Sequence, residues 1–159
     1  MERIILLIQD RIKIDGELSL DGFDKGIELE SFTFGVSNFI QRTTSNTGRT
    51  TGRPDFKEIE VVKKLDSTTV PLNFHCAKAS HLGNISLHLV RQDSDGGRIL
   101  TYMVYELEDT MISSVSVVGG GGSTPVETLS FNYSKITWSY TAPGGTITHS
   151  WSLATNMGT

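Results

Sequence analysis

The stretch IELESFTFGVSNFIQRTTSNTGRTTGRPDFKEIEVVKK, residues 27–64, decides the fold of this chain. Near its start Phe32, Phe34 and Val36 alternate with small or polar residues, and EIEVVKK at its end alternates again, as half-buried β-strands do. Between these strands lies the arm, residues 41–55, which contains no residue of the set AVILMFWYC. A connection of this length is uncommon in a compact domain and indicates a functional or partner-ordered loop.

The arm is basic, whereas the segment before it is acidic. Arg42, Arg49 and Arg53 against Asp55 give the arm a charge of +2, while the chain as a whole is −4. Residues 10–30 hold seven carboxylates and three basic residues and so carry −4. We therefore expect the arm to contact the acidic segment of a neighbouring molecule. The candidate acidic partner residues are Asp15, Glu17, Asp21 and Asp24.

Length and composition indicate one globular domain. With 159 residues and 37% hydrophobic content, the chain can build one good core. The apolar run Ile4 to Ile8 is too short to cross a bilayer and does not form a signal peptide, so we expect cytoplasmic synthesis, no membrane insertion and, if secreted, a route without a cleaved signal. The single Cys76 excludes an intramolecular disulfide. Net negative charge argues against nucleic-acid binding.

Period-two alternation recurs along most of the chain and predicts about eight antiparallel strands. Candidate strands cover residues 3–14, 27–37, 57–64, 85–92, 98–108, 111–118, 127–141 and 146–153. Val70, Phe74 and Ala77 have helical spacing instead, with Thr68 or Thr69 as cap and Gly83 just beyond the end. The predicted fold is mainly β, a single-domain antiparallel barrel or sandwich with one helix at about residues 70–82 and a long extended loop at 41–55. The turn at Asp93 to Gly97 and the glycine run before Ser123 are predicted hairpin connections.

Catalytic and metal-binding patterns are weak. The histidines His75, His81, His88 and His149 lack ligand spacing, and Cys76 beside His75 points to a different side of a helix. Glu28 and Glu30 share one strand face, as a glycosidase pair could, yet no aromatic sugar platform accompanies them. We predict no catalytic residue, no metal and no cofactor.

Small polar side chains dominate one side of two predicted strands. Ser114 and Ser116 share a face of one strand, and Ser130, Asn132 and Ser134 share a face of the next. An ordinary solvent-exposed face carries more Lys and Glu. A water-filled lumen and a plain exposed face are both compatible with this pattern.

In sequence the chain resembles the haemolysin-coregulated protein (Hcp) family, the tube protein of bacterial type VI secretion systems. The resemblance covers nearly the whole chain in an ordered set of segments. These are IKIDGE (12–17), IELESFTFGVS (27–37), GRPD (52–55), VVKKLDSTTVPL (61–72) with the following Cys76-Ala77, YMVYELEDTMISSVSVVGGGGS (102–123), ETLSFNYSKITWSY (127–140) and Trp151-Ser152-Leu153.

The resemblance implies a compact β-barrel with one helix, assembled as homohexameric rings that stack into a tube. Sheath proteins, a spike protein and small effector proteins carried in the lumen are the implied partners, and no catalysis is implied. The tube is assembled in the bacterial cytoplasm and then secreted. Thr33 corresponds to a position where the family often has a lumen-facing Ser, so Thr33, Ser114 and Ser116 are candidate lumen residues. The ring-stacking loop comprises Arg42, Thr43, Thr44, Ser45, Asn46, Arg49, Arg53 and Pro54.

A different class of protein remains open beside this one. A monomeric or dimeric β-sandwich that binds a carbohydrate or peptide through its loops is the alternative. Ring formation distinguishes the two.

Overall fold

A computed structural model describes residues 2–42, 49–92 and 97–159, with thirteen strands and one helix in these ranges. The strands are β1 Glu2–Gln9, β2 Lys13–Ile14, β3 Ile27–Leu29, β4 Ser31–Thr33, β5 Val36–Arg42, β6 Arg49–Phe56, β7 Ile59–Lys64, β8 Gly83–Gln92, β9 Ile99–Val118, β10 Val126–Asn132, β11 Lys135–Ala142, β12 Gly145–Ser152 and β13 Met157–Gly158, and the helix α1 is Thr69–Ala77. All strand pairings among the described residues are antiparallel. The prediction of a mainly β, antiparallel fold with one helix is confirmed.

The long strand β9 organises the larger sheet. Residues 99–110 of β9 pair with β8. Residues 103–108 also pair with β11, and residues 111–118 pair with β10. Two predicted boundaries were wrong here. Residues 98–108 and 111–118 form one strand, because the chain passes through Asp109 at a φ of 51° without leaving the ladder. Residues 127–141 form two strands, because the chain leaves its ladder at residues 133–134, where the Ser134 amide donates to the Glu108 carbonyl instead.

The sheet wraps around one main core without closing into a barrel. β3 pairs with β1, but β4, which follows it directly, pairs with β7. Alternate residues of each strand point inward, among them Val61, Leu129 and Phe131, which are all fully buried. The predicted barrel or sandwich takes the form of a sheet that stays open.

A second, smaller core lies on the outer side of β1 and β8. The turn-rich segment before β3 folds over these strands and contributes Phe23, which packs with Ile5 and Val90. His88 of β8 is largely buried beneath this segment, with its ring edge-on to Phe23. Burial lowers the pKa of His88. The acidic segment is thus held against the body by apolar contacts.

The helix is shorter than the predicted 70–82. It ends at Ala77, and Ala79 adopts a φ of 55°. The Leu82 amide then donates to the Thr110 carbonyl, so residues just before Gly83 already join the sheet. Gly83 itself has a φ of 81° at the start of β8, not at the helix end. Thr68 occupies the cap position, but its side chain makes no capping bond.

The described residues of the arm, 41–42 and 49–55, belong to strands and not to a loop. β5 and β6 pair as a two-stranded hairpin from Val36 opposite Phe56 to Arg42 opposite Arg49, with a register shift between Asn38 and Ile40. Strands can pair through their backbones without apolar side chains. Because this stretch lacks an alternating hydrophobic pattern, the sequence did not predict these strands. Residues 43–48, which include Thr43, Thr44, Ser45 and Asn46, lie outside the described residues, as do residues 93–96 of the predicted turn.

Candidate functional site

The three predicted lumen residues lie on one face of one sheet. Directly paired residues on β4, β7, β10 and β9 share a side of the sheet. One such row contains Thr33, Glu60, Ser130 and Ser114, and the next contains Ser31, Val62, Thr128 and Ser116. We call this surface the polar face. Thr33, Ser114 and Ser116 are all exposed on it.

Charges on the polar face are few and mostly paired. Glu58 accepts hydrogen bonds from the Ser113 hydroxyl at 2.8 Å and from the Asn132 amide at 3.0 Å. Lys64 lies 3.7 Å from Glu30 at one end of the face. Glu60 has no hydrogen bond or ion pair in the described part of the chain. The face therefore presents mainly small hydroxyls, with Val62 among them, around the unpaired carboxylate of Glu60.

The opposite side of the same strands hides an ion pair. Lys63 and Glu127 face each other on β7 and β10, both fully buried, and form a salt bridge. The Lys63 ammonium also lies 2.8 Å from Asp66, and the Thr69 hydroxyl donates to Glu127 at 2.9 Å. This cluster joins the start of the helix to the sheet. Sequence reasoning missed it, although period two already put Lys63 on the side of Ile59.

Asp66 stays ionised at the edge of this cluster. Its partial burial alone would raise the pKa, but hydrogen bonds from Lys63 and Thr68 outweigh that effect and lower the pKa below the usual carboxyl value. The Thr68 amide donates to the same oxygen at 2.9 Å. A negative charge is therefore held where β7 turns into α1.

The hairpin β5–β6, which carries the arm, is attached to β4 and β7 at the end opposite to Asp66. Its base is held by aromatic packing, since the Phe56 ring stacks on Trp138 at 6.0 Å and on Trp151 at 6.1 Å. Further out, Phe39 and Ile40 are 76% and 54% exposed, although they are apolar. The predicted loop residues Arg53 and Pro54 line a small depression of about 220 Å³ beside Trp151. Phe39 and Ile40 belong to the arm hairpin but were not assigned to it from the sequence, because they precede the apolar-free stretch.

The four candidate acidic partner residues are all exposed but make different contacts. Asp15 lies 3.8 Å from Lys25. Glu17 accepts a hydrogen bond from the Ser67 amide at 3.3 Å. Asp21 and Asp24 lie in the turn that carries Phe23. Of the four residues, Glu17 alone lines the groove described next.

Glu17 borders an open groove of about 640 Å³, which we call the acidic groove. Its lining includes four carboxylates and one lysine. These are Glu17, Glu28, Glu30, Asp66 and Lys64. Leu65 and Thr124 complete the end that lies next to β7.

The histidines take part in ordinary polar contacts. His75 is hydrogen-bonded to Ser80 at 2.9 Å. His81 and Ser134 both bond to Asp109, so the serine hydroxyl is directed to the carboxylate and not to the imidazole. Among the described residues there is no group of three or more His, Cys, Asp or Glu side chains suited to a metal ion. Within the same ranges no helix is long and apolar enough to span a bilayer. The absence of catalysis stays a prediction.

Comparison with solved structures defines the class of fold. A structure titled as a type six secretion system protein superposes with a TM-score of 0.88 and 26% identity, with 100% of both chains covered. Hcp1 from Salmonella typhimurium gives 0.78 and 22%, with 99% of both chains covered. The tube–sheath complex of an extracellular contractile injection system gives 0.55 and 12%, covering 87% of this chain and 88% of that one. The fold is that of type VI secretion Hcp proteins.

Residues 6–140 match the family model described as "Type VI secretion system effector, Hcp". Since this match covers most of the chain, the protein belongs to the Hcp family, which confirms the resemblance. A comparison with curated protein sequences gives no significant match.

Proposed function

We propose that this protein is a tube subunit of a type VI secretion system, which forms hexameric rings that stack into a tube. The polar face is the observation that carries this proposal. A sheet face with small hydroxyl side chains and few charges is poorly suited to a monomer surface and well suited to a water-filled channel. Six copies around an axis make a heterologous contact that closes on itself. Thr33, Ser114 and Ser116 then face the lumen.

The arm connects one ring to the next in this proposal. It is a paired hairpin with exposed Phe39 and Ile40 and with Arg42, Arg49 and Arg53 along it. Its basic charge is complementary to the exposed acidic segment. Each exposed ion pair contributes about 0.2–1 kcal/mol and weakens with salt. Six such contacts per interface hold rings together while each one remains weak enough to release.

Cargo, sheath and spike contacts follow from the tube proposal. Small effector proteins occupy the lumen against the polar face, while sheath proteins surround the tube and a spike protein caps it. The protein is assembled in the bacterial cytoplasm and leaves the cell with the contractile machine, by a route without a cleaved signal. No step of this proposal uses catalysis, a cofactor or a nucleic acid.

The proposal is tested by oligomeric state and by electron microscopy. Light scattering after size exclusion should give a hexamer for the wild type. The arm variant, Arg42→Glu with Arg49→Glu, should keep rings and lose tubes in negative stain. Arg98→Glu, which reverses one exposed arginine outside the arm, is the control for charge reversal elsewhere and should retain tubes.

Two results would contradict the proposal. A strict monomer at high concentration would exclude ring formation and favour the sandwich-type binding module. Tubes of unchanged length in the arm variant would remove the arm from ring stacking.

A further inference from the structure

The acidic groove and the arm lie at opposite ends of the same pair of strands. The hairpin β5–β6, which carries the arm, begins at Val36, just after β4, and ends at Phe56, just before β7. The groove contains Glu30, just before β4, and Asp66, just after β7. β7 spans six residues, or about 20 Å, between these two ends. Copies stacked head to tail along the direction of β7 would therefore bring the hairpin of one copy towards the groove end of the next.

The groove is charged to receive a basic segment. Its four carboxylates exceed its one lysine. Asp66 is held by Lys63 at 2.8 Å, but the ion pairs of Glu28 and Glu30 are longer. Glu30 lies 3.7 Å from Lys64, with both side chains exposed, and Glu28 lies 3.5 Å from Arg3. An exposed pair such as Glu30–Lys64 is easily exchanged for a closer arginine, whereas Arg3 beside Glu28 is partly buried. Asp66 adds a charge that its hydrogen bonds keep ionised.

The arm has the reach and the chemistry to fill the groove. β6 alone has eight residues, or about 26 Å, which is long enough to reach a neighbouring copy. It carries three arginines, whose planar donors match carboxylates in pairs. Arg53, the arginine nearest the base, is exposed.

We infer that the acidic groove is the acceptor site for the arm of the subunit stacked above or below it. This inference rests on the proposed tube function, and it assigns the contact with the arm to the groove and not to the whole acidic segment. The occupant is the hairpin β5–β6 of a second copy of this chain. Asp21 and Asp24 lie outside the groove, so they are not part of the acceptor even though they belong to the same acidic segment.

Charge reversal and rescue test the inference. The groove variant is Glu17→Arg with Glu30→Arg, and its matched control is Asp21→Arg with Asp24→Arg, which changes the charge of the segment outside the groove. The groove variant should form rings but need at least about tenfold more protein to form tubes, as scored by sedimentation and negative stain. The control should resemble the wild type. Tube yield of the wild type should fall as salt rises from about 0.05 to 0.5 M.

The decisive measurement combines the groove variant with the arm variant in one chain. Reversed arms then meet reversed grooves, so tubes should return. Tubes in the groove variant at wild-type concentration, or a control that fails as badly, would overturn the inference. A second outcome would also overturn the inference. If the groove variant loses rings while Glu17→Gln with Glu30→Gln keeps them, the groove lies at a contact between subunits of the same ring. Failure of the wild type itself to form rings would instead contradict the proposed function.

Discussion

Replacing Lys63 by methionine should destabilise the fold strongly. Lys63 is fully buried and neutralises Glu127, which is also fully buried. After Lys63→Met, Glu127 keeps its hydrogen bond from Thr69 but has no positive partner. Removing one member of a buried pair leaves an uncompensated charge, at a cost of about 3–5 kcal/mol. Asp66 suffers less, because it is partly exposed and keeps its bonds from Thr68.

The double variant separates charge from packing. Lys63→Met with Glu127→Met removes both buried charges and keeps much of the side-chain volume. Apolar replacement of a whole buried pair is often neutral, so we expect the free energy of unfolding to stay within about 1–2 kcal/mol of the wild type. The single and double variants together form a cycle that isolates the coupling of the pair.

Equilibrium urea unfolding at one fixed protein concentration measures these differences, because assembly makes apparent stability depend on concentration. For a chain of this size the Lys63→Met loss corresponds to a melting temperature lower by about 6–20 °C. Glu60→Met on the exposed side of the same strand is the control and should cost under about 0.5 kcal/mol. A Lys63→Met loss below about 1 kcal/mol, or a double variant whose loss equals the sum of the singles, would refute the reasoning.

Two further changes test the second core and the base of the arm. Burial lowers the folded-state pKa of His88, so its contribution is fully present above its ordinary pKa of 6.5 and is lost as pH falls from there through the lowered value. His88→Gln should therefore flatten the stability–pH curve between about pH 7 and 5, measured by urea unfolding, and an unchanged slope would show that another group titrates. Phe56→Leu retains an apolar side chain but loses two stacked aromatic pairs, so we expect a loss of about 1–3 kcal/mol in the same assay. The control is Phe74→Leu, because Phe74 is an exposed residue of the helix and its loss of stability should be much smaller. Equal losses of stability in the two variants would contradict the stacking argument.

The strand boundaries show how far alternation predicts structure. Alternation marked most strands correctly, because it records which side of a strand is buried. It could not show that the chain stays in one ladder through Asp109, or leaves it at Ser134, since both depend on hydrogen bonds to neighbouring strands. The helix ended early for the same reason, because Leu82 pairs with Thr110 of the sheet.

The arm shows the converse. Its composition indicated a contact with a neighbour but hid its structure, because a hairpin built from backbone bonds needs no apolar pattern. Phe39, in the same hairpin, could be recognised as an exposed residue only from the structure, in which β5 lies outside the core.

Sequence alone determined the mainly β class, the inward and outward sides of most strands, the opposite charges of the arm and the acidic segment, and the family. These are properties of composition, local period and ordered motifs. Only the tertiary structure decided that Thr33, Ser114 and Ser116 share one face, that Lys63 meets Glu127, and that Glu17 borders a groove opposite the arm. Each of these depends on strand register between segments far apart in the chain, and a shift of one residue would move every side chain to the other face.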